Sequence, residues 1–394
     1  MIQNVTAEGT SATGETRIIA AEAVIAGDTV HRPGWLAELG GVISGIGAGE
    51  PPRKPDLNYP DGIAAPGFVD MHVHGGGGSS YTDGDAAEVR AAAAFHREHG
   101  TTTTITSTVS AGPDQLRATV ERLRDLVHAG VSAGIHLEGP WISESRCGAH
   151  DPEVLRNPDR KEIADLLEVA DGTIAMVTLA PELPGAFDAI DQFVDAGVVV
   201  AVGHTNSTYD QAREALRRGA RVATHLFNTM PPLGHREPGP VLALMEDPRV
   251  VVELIGDGVH LHPALVRDVQ RAVGFDRVAL VTDAMVAAGK PDGAYQLGSL
   301  DVTVANGIAR ISATGAIAGS TATMGGLFAR SAHGLSDGAP NASDEVLIAC
   351  AAMTSGNPAR VLGRADVGAL TVGRRAHVVI LDQDLRVNHV LAGE

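Results

Sequence analysis

His72-Val73-His74, directly after the apolar run Gly67-Phe68-Val69-Asp70-Met71, puts two imidazoles at i and i+2. On a strand these point to the same side, where one metal ion can meet both. Later apolar runs also stop at a residue able to bind a divalent metal: Ile135-His136-Leu137-Glu138-Gly139, Val198 to Val202 followed by Gly203-His204, and Val222-Ala223-Thr224-His225. A further run, Val278-Ala279-Leu280-Val281-Thr282-Asp283, stops at a carboxylate. Parallel α/β barrels assemble their active sites at such strand ends, so the pattern reads as a metal centre drawn from several strands.

A zinc-type hydrolytic site takes imidazole nitrogens and carboxylate oxygens and keeps a position for water. His72, His74, Glu138, His204 and His225 are too many for one such ion. They suggest two metals, one on His72 and His74, the other on His204 and His225, with Glu138 shared. Asp283 joins them as a further metal-competent carboxylate, placed to take a proton from activated water and return it to a leaving nitrogen.

Those residues need a scaffold that brings distant segments to one mouth. Residues 1–65 are short-stranded and rich in turns, with Gly40-Gly41 and the Pro51-Pro52 and Pro55 cluster marking connections. From Pro66 strands alternate with helices that end in glycine: Asp85 to His99 before Gly100, Pro113 to Ala129 before Gly130, Thr208 to Arg218 before Gly219, and His262 to Val273 before Gly274. Between them lie buried-type strands at Thr103 to Thr108, Ile174 to Leu179, Val198 to Val202, Val251 to Ile255 and Val278 to Val281. Continuous apolar strands imply a parallel sheet covered on both faces.

The expected fold is therefore α/β, a (β/α)8 TIM-type barrel over residues 66–364, long enough for eight units of about 250 residues in all. Residues 1–65 and 365–394 are expected to form one small β-sandwich that the barrel interrupts. The first dozen residues, rich in Ser, Thr and Gly, are expected to be disordered.

Composition narrows the partners. A formal charge of −18 argues against nucleic acid, because the surface as a whole repels a polyanion. No apolar run approaches the roughly 20 residues of a membrane span, and the chain does not open like a secretory signal. Two cysteines, Cys147 and Cys350, are too few for a disulfide framework, which fits a reducing, cytoplasmic setting. Aromatic residues make up only 3% of the chain, so the core must pack with small aliphatics.

Longer stretches then point to a family. Pro66 to Gly75, His136-Leu137-Glu138-Gly139-Pro140-Trp141, Gly203-His204-Thr205, Thr224-His225-Leu226-Phe227-Asn228-Thr229-Met230-Pro231, Arg236-Glu237-Pro238-Gly239, Asp257-Gly258-Val259-His260 and Leu280 to Ala284 resemble the N-acetylglucosamine-6-phosphate deacetylases of the amidohydrolase superfamily. The resemblance implies hydrolysis of the N-acetyl group of N-acetyl-D-glucosamine 6-phosphate to glucosamine 6-phosphate and acetate by metal-activated water. It implies Glu138 where many superfamily members carry a carbamylated lysine, and Asp283 as general acid/base. Because some family members lack the first histidine pair, its retention here implies a binuclear centre, with Zn2+ first and Fe2+, Mn2+, Co2+ or Cd2+ as alternatives.

The same resemblance assigns Asn228, Thr229, Arg236 and His260 to the substrate phosphate, and His150 to the sugar hydroxyls or the acetyl oxygen. Arg236 is implied to arrive from a neighbouring subunit, hence a homodimer. Cys147, three residues before His150, is a candidate regulatory thiol against the plainer reading of a spectator. Gly75 to Gly78 lacks the Lys-Ser/Thr of a phosphate loop and is expected to be a flexible loop giving access to the metals. His377 stands in Gly373-Arg374-Arg375-Ala376-His377 where the superfamily usually shows Asp, and is expected to affect only the sandwich. Two rival functions stay open: another amidohydrolase, such as a cyclic-amide hydrolase or deaminase, and a non-catalytic metal-binding protein.

Overall fold

Short runs mostly of Val, Ile, Leu and Ala, too uniformly apolar for a strand with one wet face, form the parallel layer at the centre of the molecule together with a Thr-rich run at 101–108. In the computed structural model, which describes residues 15–336, 339 and 341–392, its strands are Phe68–Asp70, Thr101–Thr104 running on to Thr106–Thr108, Ile135–Glu138, Ile174–Leu179, Val199–Val202, Val222–Ala223, Val251–Leu254 and Val278–Leu280. Neighbours in this order pair in parallel. The last strand returns beside the first: Asp283 N–H donates to His72 O at 2.9 Å, and Thr282 Oγ1 donates to Asp70 Oδ2 at 2.5 Å. Met71, Ile105, Met176, Ala201, Val222, Val251, Ala279 and Val281 form one apolar cluster contributed by successive strands. Its residues are small or unbranched at the tip, as the low aromatic content requires.

Helices cover the outside, and local sequence sets their ends. Asp85 caps the Ala86–Glu98 helix by accepting from the N–H groups of Ala87 and Glu88. Thr208 and Gln211 form a reciprocal capping box on Tyr209–Arg218. Gly100, Gly130, Gly219 and Gly274 follow four helices at φ +95°, +73°, +120° and +89°, a backbone region that disfavours any side chain. On Pro113–His128 the buried Leu116, Val120, Leu123 and Leu126 recur at helical spacing, so one stripe faces the strands. Truncating Leu123, which has no exposed surface, to Ala should cost about 2–5 kcal/mol.

The two chain ends meet in a single hydrogen-bonded sheet. Across it the order is Val387–Leu391, Val378–Leu381, Leu57–Pro66, Arg17–Ala26, Gly34–Leu39 and Val42–Ala48, with Thr29–His31 paired on Arg17–Ala26. Ile19, Leu36, Ile43, Ala64, Val378 and Ile380 make its core. Pro66 ends one of these strands and Phe68 begins the first barrel strand, so the sheet hands the chain directly to the barrel.

Two features depart from expectation. After the last barrel strand an antiparallel insertion, Gly293–Leu297, Leu300–Ala305 and Ile308–Ile311, interrupts the alternation. Gly75 to Gly78 is not a loose loop. Gly75–Gly76 pairs with Ser79–Ser80, and the N–H groups of Gly77 and Gly78 donate to Ala288 O and Val286 O at 2.8 and 2.9 Å. Glycine is needed there for close approach, because a Cβ on Gly76 would lie 2.7 Å from the Phe95 ring. The first dozen residues lie outside the described ones. Among the described residues no helix is long and apolar enough to cross a membrane.

Candidate metal centre and active site

Period-two geometry turns His136 and Glu138 of the Ile135–Glu138 strand to the same side, one above the other. Glu138 is the upper one, and four imidazoles close on it. Its Oε1 lies 3.3 Å from His72 Nε2, 3.2 Å from His204 Nε2 and 3.1 Å from His225 Nε2, while Oε2 lies 3.1 Å from His74 Nε2. Asp283 Oδ1 sits 3.2 Å from His74 Nε2 and 3.6 Å from His72 Nε2. The donor atoms fall into two compact groups, His72 with His74 and Asp283, and Glu138 with His204 and His225, all buried. The two histidine pairs thus fall into separate donor groups, with Asp283 on the side of the first pair and Glu138 reaching both.

The hydrogen bonds behind these rings show that the donor set fits a cation. His204 Nδ1 faces the carbonyl oxygen of Arg146 at 2.9 Å, and a carbonyl only accepts, so the proton sits on Nδ1 and Nε2 offers a bare lone pair. His72 Nδ1 likewise faces Glu253 Oε2 at 3.1 Å, an oxygen that also accepts the His225 N–H at 3.0 Å. His204 and His225 Nε2 lie 3.0 Å apart, and His72 and His74 Nε2 3.3 Å apart, while Nδ1 of His74 and of His225 is buried without a hydrogen-bond partner. Neighbouring imidazole nitrogens with two carboxylates between them are a coordination geometry for divalent metal.

The charges agree. Burial alone would push His72 down, but Glu138, Glu253 and Asp283 around it hold its pKa well above the ordinary imidazole value. His74 is raised to about 9, burial again opposing and Asp283 and Glu138 prevailing. Burial also disfavours charge on Glu138 and Asp283, yet the imidazoles hold both carboxyls well below the usual range. The centre is a pool of negative charge that attracts protons or metal.

Backbone strain is concentrated here. His204, His225 and Asp283 have φ of +46°, +26° and +48°, and Phe227 and Thr229 in the same turn have +78° and +53°. Each such residue costs about 1–3 kcal/mol, which the surrounding sheet must offset. The turn after Val222–Ala223 alternates through the left-handed region at 225, 227 and 229, and so presents His225, Asn228 and Thr229 to one cavity.

That cavity, about 220 Å³, is lined by His74, Glu138, His204, His225 and Asp283 on the floor and by His150, Asn228, Thr229 and His260 on the sides. His150 accepts the Ser110 N–H at Nδ1 (3.1 Å), which leaves Nε2 as the protonated nitrogen, 3.4 Å from Glu138 Oε2. Burial pushes its pKa down to about 4, so it is a neutral N–H donor. Asn228 Nδ2 donates to His225 O at 3.1 Å, and His260 Nδ1 is held by Asp257 Oδ2 at 2.8 Å, its other edge turned to the cavity. The insertion contributes Leu297 and the segment after it Ala316 and Ile317, which with Val109 form an apolar wall.

Arg236 is not brought to this cavity: it is exposed on the loop 231–238 and lines no part of the pocket. Cys147 is half-buried and unpaired in the loop that carries His150. Three residues were given no role by the sequence reading. Glu253 is a fully buried carboxylate whose signal was a lone acid inside Val251-Val252-Glu253-Leu254. His136 lies edge-on beneath His72 at 4.7 Å, fixed between Ser107 Oγ and Thr178 Oγ1 at 2.9 and 2.8 Å. Ser110, which orients His150, gave no signal.

Comparison with known proteins follows the same lines. The amidohydrolase family profile matches residues 63–393. An N-acetylgalactosamine-6-phosphate deacetylase of Escherichia coli O157:H7 is 36% identical over 91% of this chain and 94% of its own length, and an N-acetylglucosamine-6-phosphate deacetylase of Bacillus subtilis is 32% identical over 95% of each. Among solved structures, a mutant N-acetyl-D-glucosamine-6-phosphate deacetylase from Mycobacterium smegmatis, in complex with N-acetyl-D-glucosamine 6-phosphate, is 47% identical with a TM-score of 0.94, covering 97% of this chain and 99% of that one. The Thermotoga maritima enzyme of the same name is 29% identical, with a TM-score of 0.84 over 95% of this chain and 98% of its own. With its family profile, its relatives and its barrel in agreement, this chain belongs to the amidohydrolase family.

Proposed function

We propose that this chain hydrolyses the N-acetyl group of N-acetyl-D-glucosamine 6-phosphate to glucosamine 6-phosphate and acetate. The observation that carries the reading is Glu138 within 3.1–3.3 Å of four imidazole nitrogens on the floor of a cavity with hydrogen-bond donors on its sides. His72, His74 and Asp283 would hold one divalent cation and Glu138, His204 and His225 another. Nitrogen and oxygen donors of this kind suit Zn2+ first, and also accept Fe2+, Mn2+, Co2+ or Cd2+. Such a cation supplies a water acidic enough to attack near neutral pH and polarises the acyl oxygen.

The protein's own groups do the rest. Asp283, ionised beside His72 and His74, is the base that takes the water proton and then the acid that delivers it to the leaving amine. His150 donates its Nε2–H to the acyl oxygen, held in that tautomer by Ser110. Val109, Leu297, Ala316 and Ile317 exclude water around the acetyl methyl. Asn228, Thr229 and His260 take the phosphate. Arg236, exposed on its own chain, completes the phosphate site from a second copy in a homodimer, where its fork suits a dianion.

Acetate release from N-acetylglucosamine 6-phosphate and from unphosphorylated N-acetylglucosamine tests this. Loss of the phosphate should lower kcat/KM by about 100-fold or more, because binding energy remote from the amide supports the reaction. Equal rates on both, or hydrolysis of cyclic amides instead, would overturn it. A second reading, N-acetylgalactosamine 6-phosphate as the preferred epimer, is favoured by the 36% identical relative of that name, and the ratio of kcat/KM for the two epimers decides between them.

A further inference from the structure

Where the barrel strands begin, at the end opposite the metal centre, a groove of about 350 Å³ is lined by Arg97, Arg364, Arg375, His377 and the Thr101–Thr104 strand, with no acidic residue among its lining. On a chain of net charge −18 this is a local reversal of sign. Arg364 and Arg375 share one carboxylate, Asp366, each through Nε at 2.9 Å. Arg97 has no ion pair or side-chain hydrogen bond among the described residues. The groove therefore holds three guanidiniums, of which two share one carboxylate and the third has none.

The neutral donors of the groove are also unsatisfied. Thr101 is 3% exposed, yet its Oγ1 has no hydrogen-bond partner, and Thr102 Oγ1 and His377 Nδ1 are buried without partners as well. Leaving a buried polar group unpaired costs about 1–3 kcal/mol, so an anion oxygen that reaches one of them is favoured. Hydroxyls, an imidazole and guanidinium forks together ask for an acceptor with several oxygens and negative charge. His377 brings an imidazole rather than a carboxylate to the groove, so it offers Arg97 no counter-charge.

We propose that this groove binds a small tetrahedral oxyanion, either inorganic phosphate or the phosphate of a phosphate monoester. The anion would join the barrel to the end sheet: Thr101 belongs to a barrel strand, His377 leads into the Val378–Leu381 sheet strand, and His377 O accepts the Gly67 N–H at 2.9 Å between them. The site is separate from the catalytic cavity and from the groups assigned there to the substrate phosphate.

Calorimetric titration of the metal-loaded full-length protein with inorganic phosphate and, separately, glucosamine 6-phosphate tests it, at ionic strength held constant with NaCl and in an Arg236→Ala background that weakens phosphate binding at the catalytic cavity. One or both ligands should bind, and His377→Asp or Arg97→Gln should weaken that binding about tenfold or more while kcat/KM of either variant on otherwise wild-type protein stays unchanged. Tighter binding of the free anion, or of the ester, identifies the source. Arg97 is exposed, so its variant keeps the test valid if His377→Asp folds poorly. No binding of either ligand, or binding that both variants leave intact, would overturn the proposal.

Discussion

The barrel mouth and the sheet made from the chain ends start from similar strands and handle polar groups in opposite ways. The sheet core is aliphatic throughout: Ile19, Leu36, Ile43, Val378 and Ile380, with charge kept to its rim. The mouth buries four imidazoles and two carboxylates within a few ångströms and holds three of their backbones in the left-handed region. One region is arranged for stability. The other spends stability on an array that is tolerable only when its charges are answered by metal or protons. The difference locates chemistry without reference to any relative.

Substitutions should expose that contrast, and the strongest is Glu138→Gln. It replaces the carboxylate that reaches both donor groups by a neutral amide, and kcat/KM should fall by at least about 10⁴-fold, together with bound metal counted by atomic absorption. Asp283→Asn keeps the shape and a donor oxygen but not the proton transfer. Turnover should drop about 10²- to 10⁴-fold with metal content and substrate binding largely retained, and near-normal turnover would remove Asp283 from the mechanism. Glu253→Gln, which touches no substrate, should weaken metal affinity about 10- to 100-fold through a misoriented His72, measured by competition with a chelator.

In the sheet the outcome should invert. Ile380→Ala should lower stability by about 2–5 kcal/mol in denaturant unfolding while leaving kcat/KM at 25 °C as it was. A gentler probe of the mouth is pH. His72 and His74 carry raised pKa values in the metal-free protein, about 9 for His74, so below that pH a metal must displace protons. Metal affinity should fall as pH is lowered from 9 towards 6, and calorimetry in two buffers of different ionisation enthalpy should register proton release on binding. Affinity independent of pH would show that these imidazoles do not coordinate.

Much of this was legible in the sequence, for a physical reason. A parallel strand buried on both faces is a short apolar run, and its end is marked when the next residue is His or a carboxylate, so the convergence of His72, His74, Glu138, His204, His225 and Asp283 could be read from position alone. Glycines past the helix ends were equally plain. What escaped depends on contacts between distant segments. Glu253 meets His72 across 181 positions and Ser110 meets His150 across 40, and neither pairing leaves a local pattern. The insertion at Gly293–Ile311 does alternate, as at Leu300 to Ala305, but as half-exposed strands in a chain otherwise written in buried ones. Gly75 to Gly78 misled because glycine serves close packing as well as mobility, and only the neighbouring Phe95 ring distinguishes the two.

The most direct test of the account is acetate release from N-acetylglucosamine 6-phosphate by chelator-stripped protein before and after addition of Zn2+, with Glu138→Gln in parallel. Stripped wild-type protein should be inactive and regain turnover with the metal, and the variant should stay silent at every metal concentration. Turnover in stripped protein that is indifferent to added metal, or full activity in the variant, would contradict it.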